Sequence, residues 1–467
     1  MTRHVAVIDI GKTNAKLALV DRQTLTEISV ITRPNAVLPG PPWPHFDVGG
    51  HWDFLLEGLR DFNERHGIDA ISITTHGACA ALLDSEGALA APILDYEHTG
   101  PDETAQAYDA IRPPFEETGS PRLAGGLNIG AQLFWQFQTD PGLKDRTHCI
   151  VTYPQYWGAK LTGVAATDVT SLGCHTDLWN PHTSQFSSLA GTLGIRDKLA
   201  PVRRPQDKLG PVLPSVARFT GLDPTTPVCC GIHDSNASLL PYVLAETSPF
   251  SVISTGTWVI AMSVGGRSVP LDPGRDTLIN VTALGHPAPS ARFMGGREHD
   301  IATGGTGPEP TAEDLYGILS QRVMLLPAMV PDSGPFKGEV PDWIGGEPQA
   351  GTGRRRAAVA LYLALVTCEC LASIGHEGHI IVEGPFAGNN LYLEMLSAAT
   401  GAVVFRSTGT TGTSAGAAML VSDKTDAPPR GQNLVPVAAE HSVLLREYAT
   451  LWRQRVQRRM QKAPCRP

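Results

Sequence analysis

Residues 5–10 (VAVIDI) form an unbroken run of β-branched and apolar side chains that stops at Gly11, and residues 17–20 (LALV) resume it. This reads as a strand, a tight polar turn (GKTNAK, 11–16) and a second strand. Roughly 240 residues later, 250–264 (FSVISTGTWVIAMSV) repeats the grammar with a Ser-Thr-Gly-Thr turn. A unit stated twice predicts two similar domains, each with one phosphate-facing turn, the turns facing each other across a cleft. Between them the pattern predicts a helix over 51–65, strands over 70–75 and 80–84, and a helix over 155–163 that ends at a glycine. The Pro-rich stretch 201–214 reads as a surface connection. In the second half, 354–374 has the length and apolar character of a buried helix. Strand 379–382, the turn EGPFAGNN (383–390), helix 391–400 and strand 402–405 follow. A Gly/Thr-rich turn at 407–413 opens a helix over 414–421, and 440–461 reads as a docked amphipathic terminal helix with a solvated basic end.

Composition narrows the class. At 467 residues the chain is too long for one ordinary core, and 42% hydrophobic with 18% charged residues suits a soluble globular protein. The net charge of −9 comes with no long basic run, so no nucleic-acid or anionic-membrane footprint is expected. The opening segment reaches an acidic residue too soon for a signal peptide, and no stretch is expected to reach the roughly 18 apolar residues of a membrane span. The eight cysteines lack zinc-type spacing and read as reduced core thiols of a cytoplasmic protein.

Four segments carry candidate chemistry. Asp9-Ile-Gly-Lys-Thr-Asn-Ala-Lys16 places a carboxylate at a strand end, then a glycine that admits an anion close to backbone amides, then hydroxyl, amide and ammonium donors. Asp9 supplies a hard oxygen suited to magnesium through water. An ordinary hairpin would use similar residues. Ser254-Thr-Gly-Thr-Trp258 is an equally donor-rich turn, and Gly384-Pro-Phe-Ala-Gly-Asn389 lies between strand and helix, where open α/β sheets place ligands. Gly231-Ile-His-Asp-Ser-Asn-Ala237 puts Asp234 at a helix N-terminus, either as an ordinary cap or as a base accepting the proton of an attacking hydroxyl, with His233 beside it.

Together, in type and order, these segments resemble the FGGY family of carbohydrate kinases. That resemblance implies an α/β fold of two actin-like (ribonuclease H-like) ATPase domains with an inter-domain cleft, over 1–246 and 247–467. DIGKTNAK (9–16) is similar to the family's first phosphate motif, GIHDSNA (231–237) to its catalytic-aspartate motif and STGTW (254–258) to its second phosphate motif. EGPFAGNN (383–390) resembles the adenosine motif, and TGTTGTSAGAAML (408–420) the closing helix. The likeness implies Asp234 as the base and Asp9 by the metal. Gly11, Lys12, Thr13, Asn14, Gly256 and Thr257 would lie at the phosphates, and Gly384, Phe386 and Asn389 at the adenosine. His76 and Gly77, in Thr75-His76-Gly77, would contact the sugar with His233 and Asp234. The family usually has three glycines where Gly384-Pro385-Phe386 stands, which puts the adenine contacts on different groups. Residues 292–305 match the second family signature loosely, and the helix after them is expected to be short or absent.

The implied function is ATP-dependent phosphorylation of a small sugar with Mg2+, with no nucleic-acid or membrane partner; a homodimer is left open. Gly-x-His-Asp and the Thr13-Asn14 pair are closer to L-fuculose and L-rhamnulose kinases than to glycerol or xylulose kinases, so a ketose is expected. A pentulose, tetrulose, polyol or aldose such as rhamnose is the alternative within the class. An actin- or Hsp70-like ATPase switch, or a sugar-binding regulator, is the alternative outside it.

Overall fold

The fold is described from a computed structural model that covers residues 2–305, 307–408, 412–421, 434–438 and 440–462. The chain forms two compact units. The first holds residues 2–245, 279–287 and 412–421, and the second holds 246–278, 288–305, 307–408, 434–438 and 440–462.

In the first unit, β1 (His4–Ile10), β2 (Asn14–Asp21) and β3 (Thr26–Pro34) form an antiparallel meander. β4 (Ala70–Thr75) runs parallel to β1 on its other side, followed outward by β5 (Pro227–Cys229). β1 and β4 are buried almost throughout, as expected of central strands without polar alternation. The long helix Val48–His66 covers one face with Leu55, Leu59 and Phe62. On another cluster, the small-residue helix Thr413–Met419 packs with Val5, Val7 and Ala237. Its Gly416 is needed there, since a Cβ would run into the backbone of Ala237.

The second unit repeats this plan. β6 (Phe250–Thr255), β7 (Val259–Val264) and β8 (Pro287–Phe293) lie antiparallel in succession across the sheet, and β9 (His379–Glu383) then β10 (Val404–Ser407) add in parallel beyond β6. The order, third-second-first-fourth-fifth, is the same in both units. The duplicated strand-turn-strand pattern is thus the visible part of a duplicated sheet.

Several expectations change. The first turn is shorter than GKTNAK, because Ala15 and Lys16 already pair with Ile10 and Asp9. Within 201–214, Lys208–Pro211 is an edge strand on Pro227–Cys229, a position that tolerates proline. Residues 292–305 contain the helix Gly295–Thr303, and a further helix, Ala312–Gln321, follows with a Thr311/Asp314 capping box. The last parallel strand begins at Val404, two residues beyond the expected start. Gly353–Ser373 is long and apolar enough, by length and composition, to cross a membrane, contrary to the expectation that no segment reaches that threshold. Here it is the core helix of the second unit, with Ala357 to Val366 buried. Part of the expected 407–413 turn lies outside the described residues. The seven described cysteines carry no disulfide.

Candidate functional site

In the first unit the strand ends converge. Asp9 sits one residue before the end of β1, 8% exposed, opposite Lys16 across the hairpin and beside Thr74 of β4. Thr413 Oγ1 donates to its Oδ2, and Lys16 Nζ lies 3.4 Å from the same oxygen. Burial raises the Asp9 pKa and the nearby Asp234 charge adds to it, while Thr413 and Lys16 oppose the rise. The turn that follows is closed by Gly11 N–H on the Asn14 carbonyl at 2.9 Å.

His76 follows directly on β4, its amide bound to Ile10 O at 2.9 Å, so the sugar-loop candidate and the phosphate turn are tied together. The imidazole lies among Phe46, Tyr96 and Tyr153, with centroids 5.1–5.2 Å away. Burial lowers its pKa to about 4, so the ring is neutral at ordinary pH. Nδ1 lies 2.9 Å from Gly77 O, which can only accept, so the ring proton is on Nδ1 and Nε2 is an acceptor. That Nε2 is buried with no hydrogen-bond partner among the described residues.

Gly231 takes φ +96°, where a Cβ would stand 2.9 Å from Ile73 O, and this lets the chain carry His233 alongside β4. Asp234 then opens the helix Asp234–Ala245. Oδ1 of Asp234 receives Ser235 N–H at 2.6 Å and Ser235 Oγ at 3.3 Å, and His233 Nε2 lies 3.2 Å from it. Burial also lowers the His233 pKa to about 4, so the neutral ring gives its proton to this carboxylate and accepts at Nδ1 from Asn236, 3.4 Å away. Every one of these contacts falls on Oδ1, which among the described residues leaves Oδ2 for another partner. Burial raises the Asp234 pKa and His76 opposes the rise. Gly77 makes the approach of the two loops feasible, because a Cβ there would lie 2.8 Å from His233 Nε2. Behind them the buried Asp168 carboxylate takes the Thr170 hydroxyl at 2.5 Å, and Thr170 Oγ1 in turn takes His233 N–H at 3.0 Å. The ring N–H of His76 and that of His233 are thus both already engaged within the protein.

Lys12 also differs from a plain phosphate ligand. Its ammonium pairs with Asp95, stands 3.1 Å from Glu97 and lies over the Tyr96 ring at 4.7 Å. Thr13 and Asn14 are exposed on the turn.

The second unit contains a cavity of about 730 Å3, within the usual range for small-molecule sites. Its lining includes Gly256 and Thr257 from the turn after β6, Gly296, Arg297, His299 and Asp300 from the helix Gly295–Thr303, and Pro385, Phe386, Gly388 and Asn389 from the segment after β9. Glu309 and Arg356, 2.6 Å apart as an ion pair, complete the wall. Gly296 N–H reaches Thr257 O at 3.2 Å, so the helix start braces the turn. Gly384, at φ +81°, turns the chain at the end of β9. Thr255 Oγ1 fastens that turn by donating to Glu383 O at 2.6 Å and accepting Phe386 N–H at 3.0 Å. Phe386 is mostly buried against Tyr392 and still lines the cavity, while Asn389 Oδ1 caps the following helix through Tyr392 N–H.

The family description "FGGY family of carbohydrate kinases, N-terminal domain" matches residues 4–241, and "Carbohydrate kinase FGGY, C-terminal domain" matches 247–429. The chain belongs to the FGGY family of carbohydrate kinases. Members transfer a phosphoryl group to an alcohol acceptor, with ATP as co-substrate. A solved structure of a carbohydrate kinase from Novosphingobium aromaticivorans is 35% identical, with a TM-score of 0.89 over 98% of this chain and 99% of that one. Xylulose kinase from Lactobacillus acidophilus, 14% identical with a TM-score of 0.77 over 98% and 99%, shares the fold. L-fuculokinases of Salmonella typhi and Escherichia coli (strain K12) are 24% and 26% identical over 271 and 270 residues, 56% and 55% of this chain. The chain spans only 57% and 56% of those relatives' lengths in these matches.

Sequence reasoning missed Thr413 on Asp9, the Asp168–Thr170 support under His233, and the charged lining of the FGGY C-terminal cavity. None of these had a local signal except the glycine pair Gly295-Gly296, whose second member is needed because a Cβ would meet the turn at Gly256.

Proposed function

We propose that this chain transfers the terminal phosphoryl group of ATP to a hydroxyl of a small ketose, with L-fuculose and L-rhamnulose as the preferred class of acceptor. The observation that carries the reading is the Asp234 carboxylate, held on Oδ1 by His233 and Ser235, with Oδ2 left over and its pKa raised toward the range of a useful base. In this reading Asp234 Oδ2 takes the proton of the attacking hydroxyl, and His233 and Ser235 hold the carboxylate in place. His76 Nε2 accepts from a second sugar hydroxyl, and Gly77 leaves room for it. The turns at Gly11–Asn14 and Gly256–Thr257 give donors to phosphate, and the cavity lined by Pro385, Phe386 and Asn389, just after the turn at Gly384, receives the adenosine. Phosphoryl transfer asks little more of a protein than positioning and charge stabilisation.

Asp9 fits a magnesium ion: it is a hard carboxylate oxygen whose charge is disfavoured by burial and by Asp234. Among the described residues no three His, Cys, Asp or Glu cluster as a ligand set, which suits an ion held mostly by water and phosphate oxygens. Bound there, magnesium would neutralise phosphate charge. The relatives named L-fuculokinase support the carbohydrate kinase family, and the deoxyhexulose acceptor rests on the likeness of Gly231-Ile232-His233-Asp234 and Thr13-Asn14. Sugar-dependent release of ADP, measured across ketoses, polyols and aldoses, tests the reading. ATP consumption that no sugar stimulates would overturn it in favour of an ATPase switch.

A further inference from the structure

Behind the first phosphate turn lies a line of four side chains whose hydrogen-bond directions are all determined. Asp47 caps the helix Val48–His66 by accepting Gly50 N–H at 2.9 Å, and its other oxygen pairs with Arg33 Nη2. Arg33 Nη1 lies 2.8 Å from His51 Nδ1; a guanidinium can only donate, so Nδ1 accepts and the His51 proton is on Nε2. That Nε2–H donates to Asn35 Oδ1 at 2.8 Å, which fixes the amide so that Asn35 Nδ2 donates to Gly11 O, also at 2.8 Å. The Asn35 backbone N–H adds a second bond, to Thr13 O at 2.9 Å.

His51 is fully buried and Asn35 nearly so, and burial together with Arg33 pushes the His51 pKa down to about 4, which keeps the ring in the neutral form the line requires. Gly50 makes room for it: a Cβ there would stand 2.9 Å from Arg33 Cζ. The Gly11–Lys12 and Thr13–Asn14 peptides are trans, so each N–H points opposite to its carbonyl. With both carbonyls held toward Asn35, the amide hydrogens of Lys12 and Asn14 are held on the far side of the turn.

We propose that Asp47, Arg33, His51 and Asn35 act as a positioning relay that sets the donor geometry of the Gly11–Asn14 turn and thereby its affinity for the phosphate chain of ATP. The inference rests on the kinase reading above. None of the four is a catalytic residue; each works through the next. Asn35→Asp keeps size and still accepts from His51, but sets a carboxylate oxygen against Gly11 O in place of a donor.

The test is calorimetric titration of the full chain with Mg·ATP and, separately, with adenosine. A displaced turn should weaken ATP binding in Asn35→Asp by about ten-fold or more while adenosine affinity stays at the wild-type value. KM for ATP should rise by a similar factor with KM for the sugar unchanged, a split that general destabilisation would not produce. Asp47→Asn, which retains the cap acceptor but loses the charge on Arg33, should move the same ratio by less, and it serves if Asn35→Asp does not fold. A wild-type ratio of ATP to adenosine affinity in the folded variant overturns the relay alone. A wild-type chain that binds no ATP and phosphorylates no sugar overturns the kinase reading and the relay with it.

Discussion

His233 Nε2 stands 3.2 Å from Oδ1 of Asp234, the same oxygen that accepts Ser235 N–H at 2.6 Å. Oδ1 is therefore occupied at the helix start, and Oδ2 is the oxygen that the proposed base role uses. The cap that the sequence also offered for Asp234 differs from what is found: Asp234 is the first helical residue and its oxygen takes the adjacent amide, whereas a cap reaches an amide two or three residues on.

Asp234→Asn should follow from that division. The amide oxygen takes over Oδ1 and keeps the bonds from Ser235 and His233, so melting temperature and ATP affinity should stay close to wild type. The amide nitrogen then occupies the Oδ2 position, where it donates and cannot take a proton. Turnover should fall on the order of 10²- to 10⁴-fold, the usual contribution of a general base. A coupled ADP assay reads the change, and an unaltered turnover number would remove Asp234 from the mechanism.

The pH profile should reflect the same group. A base must be ionised, so kcat/KM for the sugar is full above the Asp234 pKa and declines as pH falls through it. Because burial raises that pKa, the acid limb should lie above the ordinary aspartate value of about 3.9. His76 and His233 are pushed down to about 4 and stay neutral, so neither should add a limb near the ordinary histidine value of about 6.5. A limb near 6.5 that disappears in a His76 variant would show the imidazole titrating there instead.

Replacing His76 by Phe should separate packing from recognition. The new ring retains contacts with Phe46, Tyr96 and Tyr153 but lacks the Nε2 acceptor. A site built to pair with a hydroxyl rejects a mismatch strongly, so kcat/KM for the sugar should drop by about 10² or more with KM for ATP little changed. Equal losses in both parameters would mean that His76 only supports the fold.

Thr255→Val should act on the other substrate. It removes the hydroxyl that ties Glu383 O and Phe386 N–H and so loosens the Pro385–Phe386 wall of the cavity. Leaving those buried groups unpaired should cost about 1–3 kcal/mol of stability by denaturant titration, with weaker adenosine binding and an unchanged KM for sugar. Unchanged adenosine affinity would place the nucleoside elsewhere.

What could be read from the sequence was local. Asp9, Gly11, Gly256 and Gly384 announce themselves because a turn between apolar strands needs such residues, and His233-Asp234 because a carboxylate at a helix start is conspicuous. The Thr413 hydroxyl reaches Asp9 across 404 positions of sequence, and no periodicity encodes a contact of that kind. Lys12 read as a phosphate donor because its neighbours do; the carboxylates that hold it, Asp95 and Glu97, belong to a segment with no turn or strand signal of its own. The helix Ala312–Gln321 did carry a signal, Thr311 three residues before Asp314, in a region where the family likeness was weak.

The acceptor sugar is the last expectation. His76 Nε2 and Asp234 Oδ2 are both acceptors, and the ring N–H groups of His76 and His233 are already engaged, so these groups favour a substrate that brings two hydroxyl donors in a fixed spacing. A cyclic ketose holds its hydroxyls in such a spacing, whereas a flexible polyol must give up rotamer freedom to do so. Activity should therefore be highest with L-fuculose or L-rhamnulose and lower with glycerol or xylitol. Ranking kcat/KM across these acceptors measures it; a polyol or aldose above every ketose would leave the kinase in place and remove the deoxyhexulose reading. His233→Ala adds a second discrimination. Since that imidazole contacts the base, the loss should fall on kcat and kcat/KM together, and a rise confined to the sugar KM would instead mean that His233 binds the substrate directly.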